Sequence, residues 1–149
     1  MKKILTILTI ATMAVYATSC SKEETTTTTT TTTTNTWVSL TVVGVGSTEP
    51  KPGYTVLMFE TTAHQTPPTQ SSPPVPKNPL PTILREVVSN AQGVAHFDLN
   101  SLVTSSTPKT YYFIAVKKEG TSYIWETPFQ QREFAISRGS MITSSITAR

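Results

Sequence analysis

From Trp37 onward, apolar residues recur in short runs rich in Val, Ile, Thr and aromatics, each bounded by Gly, Pro, Asn or Ser. None of this stretch sustains a 3.6-residue period, and several runs alternate apolar with polar positions, the period of a half-buried strand. The pattern predicts strands near 37–45, 54–61, 83–89, 93–99, 111–118, 121–126, 132–137 and 140–147. Seven or eight short strands separated by turn residues imply an all-β domain over 37–149, a single Greek-key-type β-sandwich.

Two segments fix local register. Tyr111 to Lys118, then Glu119-Gly120, then Thr121 to Glu126, reads as a hairpin in which a two-residue turn sets Lys118 opposite Thr121. Tyr112, Ile114, Val116, Tyr123 and Trp125 then share the more apolar face, expected to be core. The other face carries Tyr111, Phe113, Ala115, Lys117, Ser122, Ile124 and Glu126, a mixed surface suited to edge packing or a modest binding patch. In the second segment Asn90-Ala91-Gln92-Gly93 makes a turn in which Gly93 can take a positive φ, and Ala95, Phe97 and Leu99 alternate inward after it.

The run Tyr54 to Glu60, the turn ending in Gly93, the alternation Ala95, Phe97, Leu99 and the strand Tyr111 to Val116 together resemble transthyretin-like and carboxypeptidase-regulatory-like β-sandwich modules of Bacteroidota envelope proteins. The resemblance spans about 37–147 and implies a binding or accessory module. One enzyme of the transthyretin-like group, hydroxyisourate hydrolase, ends in Tyr-Arg-Gly-Ser, which Ser137-Arg138-Gly139-Ser140 matches in part. A hairpin turn is the expected role of these four residues, since apolar runs flank them.

Before the domain the pattern changes. Lys2 and Lys3 precede an apolar run over 4–17, and Ala17-Thr18-Ser19 stands directly before Cys20. A basic start, a short apolar stretch and small residues at the cleavage point make a secretory signal over 1–19. The run is shorter than the roughly 20 residues a permanent membrane helix needs. Cys20 is the only cysteine of the chain, and its position resembles the lipid-attachment site of bacterial lipoproteins. That resemblance implies several acyl chains on Cys20 and firm membrane anchoring. Lys22, Glu23 and Glu24 resemble the lysine-plus-acidic export signal of some Bacteroidota lipoproteins, which implies display on the outer face of the outer membrane.

Ten threonines at 25–34 follow, so 20–36 reads as lipidated cysteine plus linker. Uniform Thr has no apolar face to bury and forms a spacer stiffened by β-branching. Residues 21–36 would reach at most about 50 Å at ~3.3 Å per residue. A second unusual segment, 66–82, holds seven of the eleven prolines and is expected to be an extended loop between two strands.

Charge adds little. The chain has 12 basic and 9 acidic side chains, and without Lys2 and Lys3 the balance is 10 to 9. No basic stripe is visible, so nucleic acid is not an expected partner. With its one cysteine at the anchor, the chain forms no internal disulfide and depends on its apolar core. His64 and His96 lack metal-site spacing, although Glu60 lies near His64, and His96 and Asp98 share a strand face. No serine lies in a Gly-x-Ser-x-Gly setting. No metal or cofactor is therefore expected.

The reading that follows is a non-catalytic, lipid-anchored outer-membrane module for binding, adhesion or support of an envelope complex, with an envelope protein or a glycan as partner. Tyr111 and Phe113 are the candidates for stacking on a sugar face. A periplasm-facing structural lipoprotein packed on an outer-membrane protein is the alternative, and a transthyretin-related hydrolase comes third.

Overall fold

Alternation decides the first strand. In β1 (Trp37–Gly44) the side chains of Val38, Leu40 and Val42 point one way and are fully buried, while Ser39, Thr41 and Val43 point the other way. A computed structural model of the chain describes residues 34–65, 75–125 and 130–149. The expected signal over 1–19, Cys20, Lys22, Glu23, Glu24, the threonines before Thr34, residues 66–74 of the proline-rich segment and Glu126 lie outside the described residues.

All eight expected strands form. After β1 come β2 (Thr55–Phe59), β3 (Ile83–Val88), β4 (Val94–Asp98), β5 (Lys109–Glu119), β6 (Ser122–Ile124), β7 (Gln131–Ile136) and β8 (Met141–Ala148). They make an all-β sandwich of two sheets. The smaller sheet has the order β4-β1-β8, with β1 antiparallel to β4 and parallel to β8 over eight residue pairs, from Trp37↔Met141 to Gly44↔Ala148. The larger sheet has the order β3-β2-β5, and the far edge of β5 is shared by two strands. Its first half pairs with β7 and its last three residues with β6. The chain changes sheets between β1 and β2, β3 and β4, β4 and β5, and β7 and β8, as a Greek-key sandwich requires.

The main core lies between the sheets. Val38, Leu40, Val42, Ala95, Phe97 and Ile146 of the smaller sheet meet Val56, Met58, Tyr111, Phe113 and Ile136 of the larger. Phe113 sits edge-on between Phe97 and Phe134, with ring centroids at 5.3 and 5.7 Å. Ala95, Phe97 and Leu99 point inward as expected, and Gly93 takes a φ of +72°.

A second apolar cluster covers the outer face of the larger sheet. Leu57, Phe59, Ala63, Ile114 and Val116 are buried there, with Ile83, Tyr112, Tyr123 and Trp125 packed against them. All five residues of β2 are consequently buried, and alternation disappears from that strand. A short stem joins the described ends of the proline-rich segment on this side. Gln65 donates its N–H to the Val75 carbonyl at 2.9 Å, and Lys77 donates to the Ala63 carbonyl at 2.8 Å. The Gln131 side chain fixes the stem's base by accepting from the Ala63 N–H at 2.9 Å.

Three expectations are corrected. Tyr111 and Phe113 are 4 % and 0 % exposed, so neither is a surface aromatic. Their face is the one turned to the opposite sheet, whereas Tyr112, Ile114 and Val116 belong to the outer cluster. The hairpin turn is Gly120-Thr121, because Glu119 pairs with Ser122 and Lys118 with Tyr123. Gly120 takes a φ of +58° at the first loop position, where a mirror-image hairpin turn needs glycine. Finally, Ser137 to Ser140 is a tight turn but not a hairpin, since β7 belongs to the larger sheet and β8 to the smaller.

Candidate functional site

The described chain enters the sandwich through its middle. Thr36 precedes β1, the central strand of the smaller sheet, and is fully buried. Its N–H donates to Oδ1 of Asn100 at 2.8 Å, and its carbonyl accepts from the Leu99 N–H at 2.9 Å. Its hydroxyl accepts from the Gly139 N–H at 2.8 Å. The N–H and carbonyl of Thr36 are thus tied to the loop after β4 and its hydroxyl to the turn before β8, which makes the residue a fixed root for whatever precedes it.

The turn from Ser137 to Ser140 supplies the other wall. The Ser140 N–H donates to the Ser137 carbonyl at 3.0 Å, and the Ser137 N–H donates to the Ser140 hydroxyl at 3.0 Å. Arg138 donates its N–H to the Ser105 carbonyl at 2.7 Å, and its side chain lines the cleft that forms here. That cleft, of about 450 Å³, is bounded by Thr34, Asn35, Thr36, Asn100, Thr104 and Arg138. Hydroxyls, amides and one guanidinium can hydrogen-bond an oxygen-rich group. None of these six residues is a carboxylate, imidazole or thiol, so the lining has no proton-transfer group suited to neutral pH.

The remaining sequence candidates are dispersed. His96 and Asp98 point outward from β4. The His96 ring lies 5.6 Å from the Trp37 ring, and Asp98 accepts from the Asn100 N–H at 3.0 Å, a turn-forming contact. Glu60 pairs with Lys109 at 2.9 Å, while the His64 ring faces the Gln65 carbonyl. Among the described residues, no group of three or more His, Cys, Asp or Glu stands together to hold a metal ion.

Two arrangements were not anticipated. Glu86 of β3 accepts from Lys118 at 2.5 Å and from the Tyr123 hydroxyl at 2.6 Å. The Lys118 hydrogen bond, followed by that of Tyr123, holds the Glu86 carboxyl below its ordinary range. In return, the hydrogen bond to Glu86 raises both Lys118 and Tyr123. Beside Lys118 on β5, Lys117 brings its ammonium group to 5.6 Å from the centroid of the Tyr54 ring, Lys51 stands 5.7 Å from the same centroid, and the Tyr54 hydroxyl donates to the Arg149 carbonyl. Each arrangement joins strands distant in sequence, and only knowledge of their pairing could have indicated it.

No family model, curated protein or solved structure matches this chain.

Proposed function

We propose that this protein is a lipid-anchored outer-membrane lipoprotein whose sandwich acts as a non-catalytic binding, adhesion or accessory module at the cell surface. Cys20 carries the acyl anchor, Lys22, Glu23 and Glu24 direct outward export, and the threonine tract is the spacer. The transthyretin-like resemblance of 37–147 fits a two-sheet Greek-key domain serving as a scaffold for contacts.

The observation that carries this reading is the attachment of the tract to β1. A chain that only needed to be tied down could end in a loose edge. Here the threonines lead into the central strand of the smaller sheet through Thr36, held by Asn100, Leu99 and Gly139. Tension on the tract would be taken up by the whole eight-pair ladder between β1 and β8, which resists sliding through many hydrogen bonds at once. Such a junction suits a domain held at the end of a tether while a partner pulls on it.

The test is fractionation of cells carrying the wild-type chain or Cys20→Ser, combined with proteinase K treatment of intact cells. Membrane retention that depends on Cys20, together with digestion of the domain in intact cells, is the expected result. Protection from protease would move the domain to the periplasmic face, and retention of the Cys20→Ser protein would end the lipoprotein reading.

A further inference from the structure

The two sheets differ in width. The smaller ends at β8, which packs against β5, whereas the larger continues past β5 to β7. β7 therefore extends one strand beyond the sheet that faces it. The inward row of β7 consists of Arg132, Phe134 and Ile136, which are exposed, half-buried and fully buried in that order. Arg132 crosses the step and donates its Nε–H to the Ser145 carbonyl of β8 at 3.0 Å.

That bond identifies which groups of β8 face outward from the sheet. The Ser140 carbonyl is taken by Trp37 of β1, so even-numbered positions point to β1 and odd-numbered ones to the free edge. Thr143 and Thr147 thus offer both their N–H and C=O groups there and Ser145 its N–H, the Ser145 carbonyl being held by Arg132, which an incoming strand has to displace, and among the described residues no strand pairs with them.

Other strand edges of the sandwich are guarded against pairing. β3 carries Arg85 and Glu86 and faces a register break at Met58/Phe59, β4 is five residues long with His96 and Asp98, and β7 carries Arg132 and Glu133. β8 is eight residues long with no charge, no proline and no bulge. An edge closed only by the Arg132 side chain at the Ser145 carbonyl is a template for an added strand that draws that guanidinium away. A second copy of the domain cannot supply that strand from its own β8. The two-fold pairing would bring the partner's β5, which lies beneath its β8, into the place already held by β7. The space admits one extended segment without a sheet beneath it.

We infer that the step beside β8 is a docking slot for a single extended segment of a partner protein, added as a fourth strand to the smaller sheet. This deepens the binding-module reading and rests on it. Inward residues of the docked segment alternate by two, so one apolar side chain covers Phe134 while an acidic one meets Arg132. Outward residues lie beside Thr143, Ser145 and Thr147, where small β-branched hydroxyl residues pair well.

The experiment uses the full chain and the synthetic peptide Thr-Val-Thr-Glu-Thr-Val-Thr, with hydrogen exchange and titration as readouts. Binding is expected to slow exchange of the Thr143, Ser145 and Thr147 amides about tenfold or more while leaving β4 unchanged. Replacing the peptide's Glu by Lys should weaken binding about tenfold, and Arg132→Glu should reverse that preference. The reversal keeps the test decisive, because a misfolded variant would bind neither peptide. Absence of binding, or protection elsewhere, would overturn the slot without touching the Cys20 result, which is read by fractionation alone. Slow exchange of the three amides in the chain without peptide would also overturn it, since the edge would already be filled by the threonine tract or another copy.

Discussion

Gly139 donates its N–H to the hydroxyl of Thr36 at 2.8 Å, so the turn leading into the last strand is tied to the residue leading into the first. Thr36 is fully buried, and a carbon in place of its oxygen leaves the Gly139 N–H without that partner. Thr36→Val keeps the shape and removes only the acceptor. The expected loss is about 1–2 kcal/mol, the cost of stranding a half-buried donor. It is read from the urea midpoint, and an unchanged midpoint would show that this bond contributes nothing.

Two glycines separate strain from crowding. Gly93 and Gly120 both have positive φ, at +72° and +58°. A Cβ on Gly93 would stand 2.8 Å from Pro50 Cβ and 2.9 Å from the Lys51 nitrogen, whereas one on Gly120 meets nothing within 4 Å. Gly120→Ala should cost about 1–2 kcal/mol, the penalty of a left-handed backbone alone. Gly93→Ala must also push apart the 42–51 and 90–94 turns and should cost clearly more. Equal midpoints for the two variants would refute the steric account.

Strand positions were legible because a β-rich alternation bounded by turn residues is a local signal, and every expected strand formed within two residues of its limits. The core face of β5 was not. Tyr111 and Phe113 alternate with Tyr112, Ile114 and Val116, and both rows are apolar because both faces of this sheet are covered. The hairpin shows a different limit. Its pairing differs from the expected one by a shift that preserves side-chain parity, so Tyr123 and Trp125 still share a face with Tyr112, Ile114 and Val116. The turn at Ser137 to Ser140 looked like a hairpin because nothing local reveals that the next strand joins the other sheet. The step beside β8 depends on the widths of both sheets and has no local signature at all.

Burial of Phe113 makes a distinct prediction from the surface role expected for it. Its ring is fully covered and contacts Phe97 and Phe134, so Phe113→Ala should cost about 3–5 kcal/mol through lost contacts and a cavity. The effect belongs to stability, and glycan binding should not change in any way separable from unfolding. A variant of native stability that lost sugar binding would restore Phe113 as a contact residue.

Glu86 links acid and alkaline stability through one cluster. Its carboxyl is held below the ordinary 4.5 by Lys118 and then Tyr123, so the stabilisation is complete above that value and fades as pH falls through the lowered one. Lys118 is raised above 10.5 and Tyr123 above 10.0, chiefly by the same carboxylate. Their contributions are complete below those values and fade as pH rises through the raised ones. Between the two limits the cluster should give a plateau, made shallow by water around side chains that remain 35 % and 29 % exposed at Lys118 and Glu86. Glu86→Gln removes the charge while keeping an acceptor oxygen. Urea midpoints of wild type and variant, measured across pH, should differ on the plateau and converge at both ends, because other titrating groups cancel in the difference. A constant difference from acid to alkali would mean that the contact acts by shape alone.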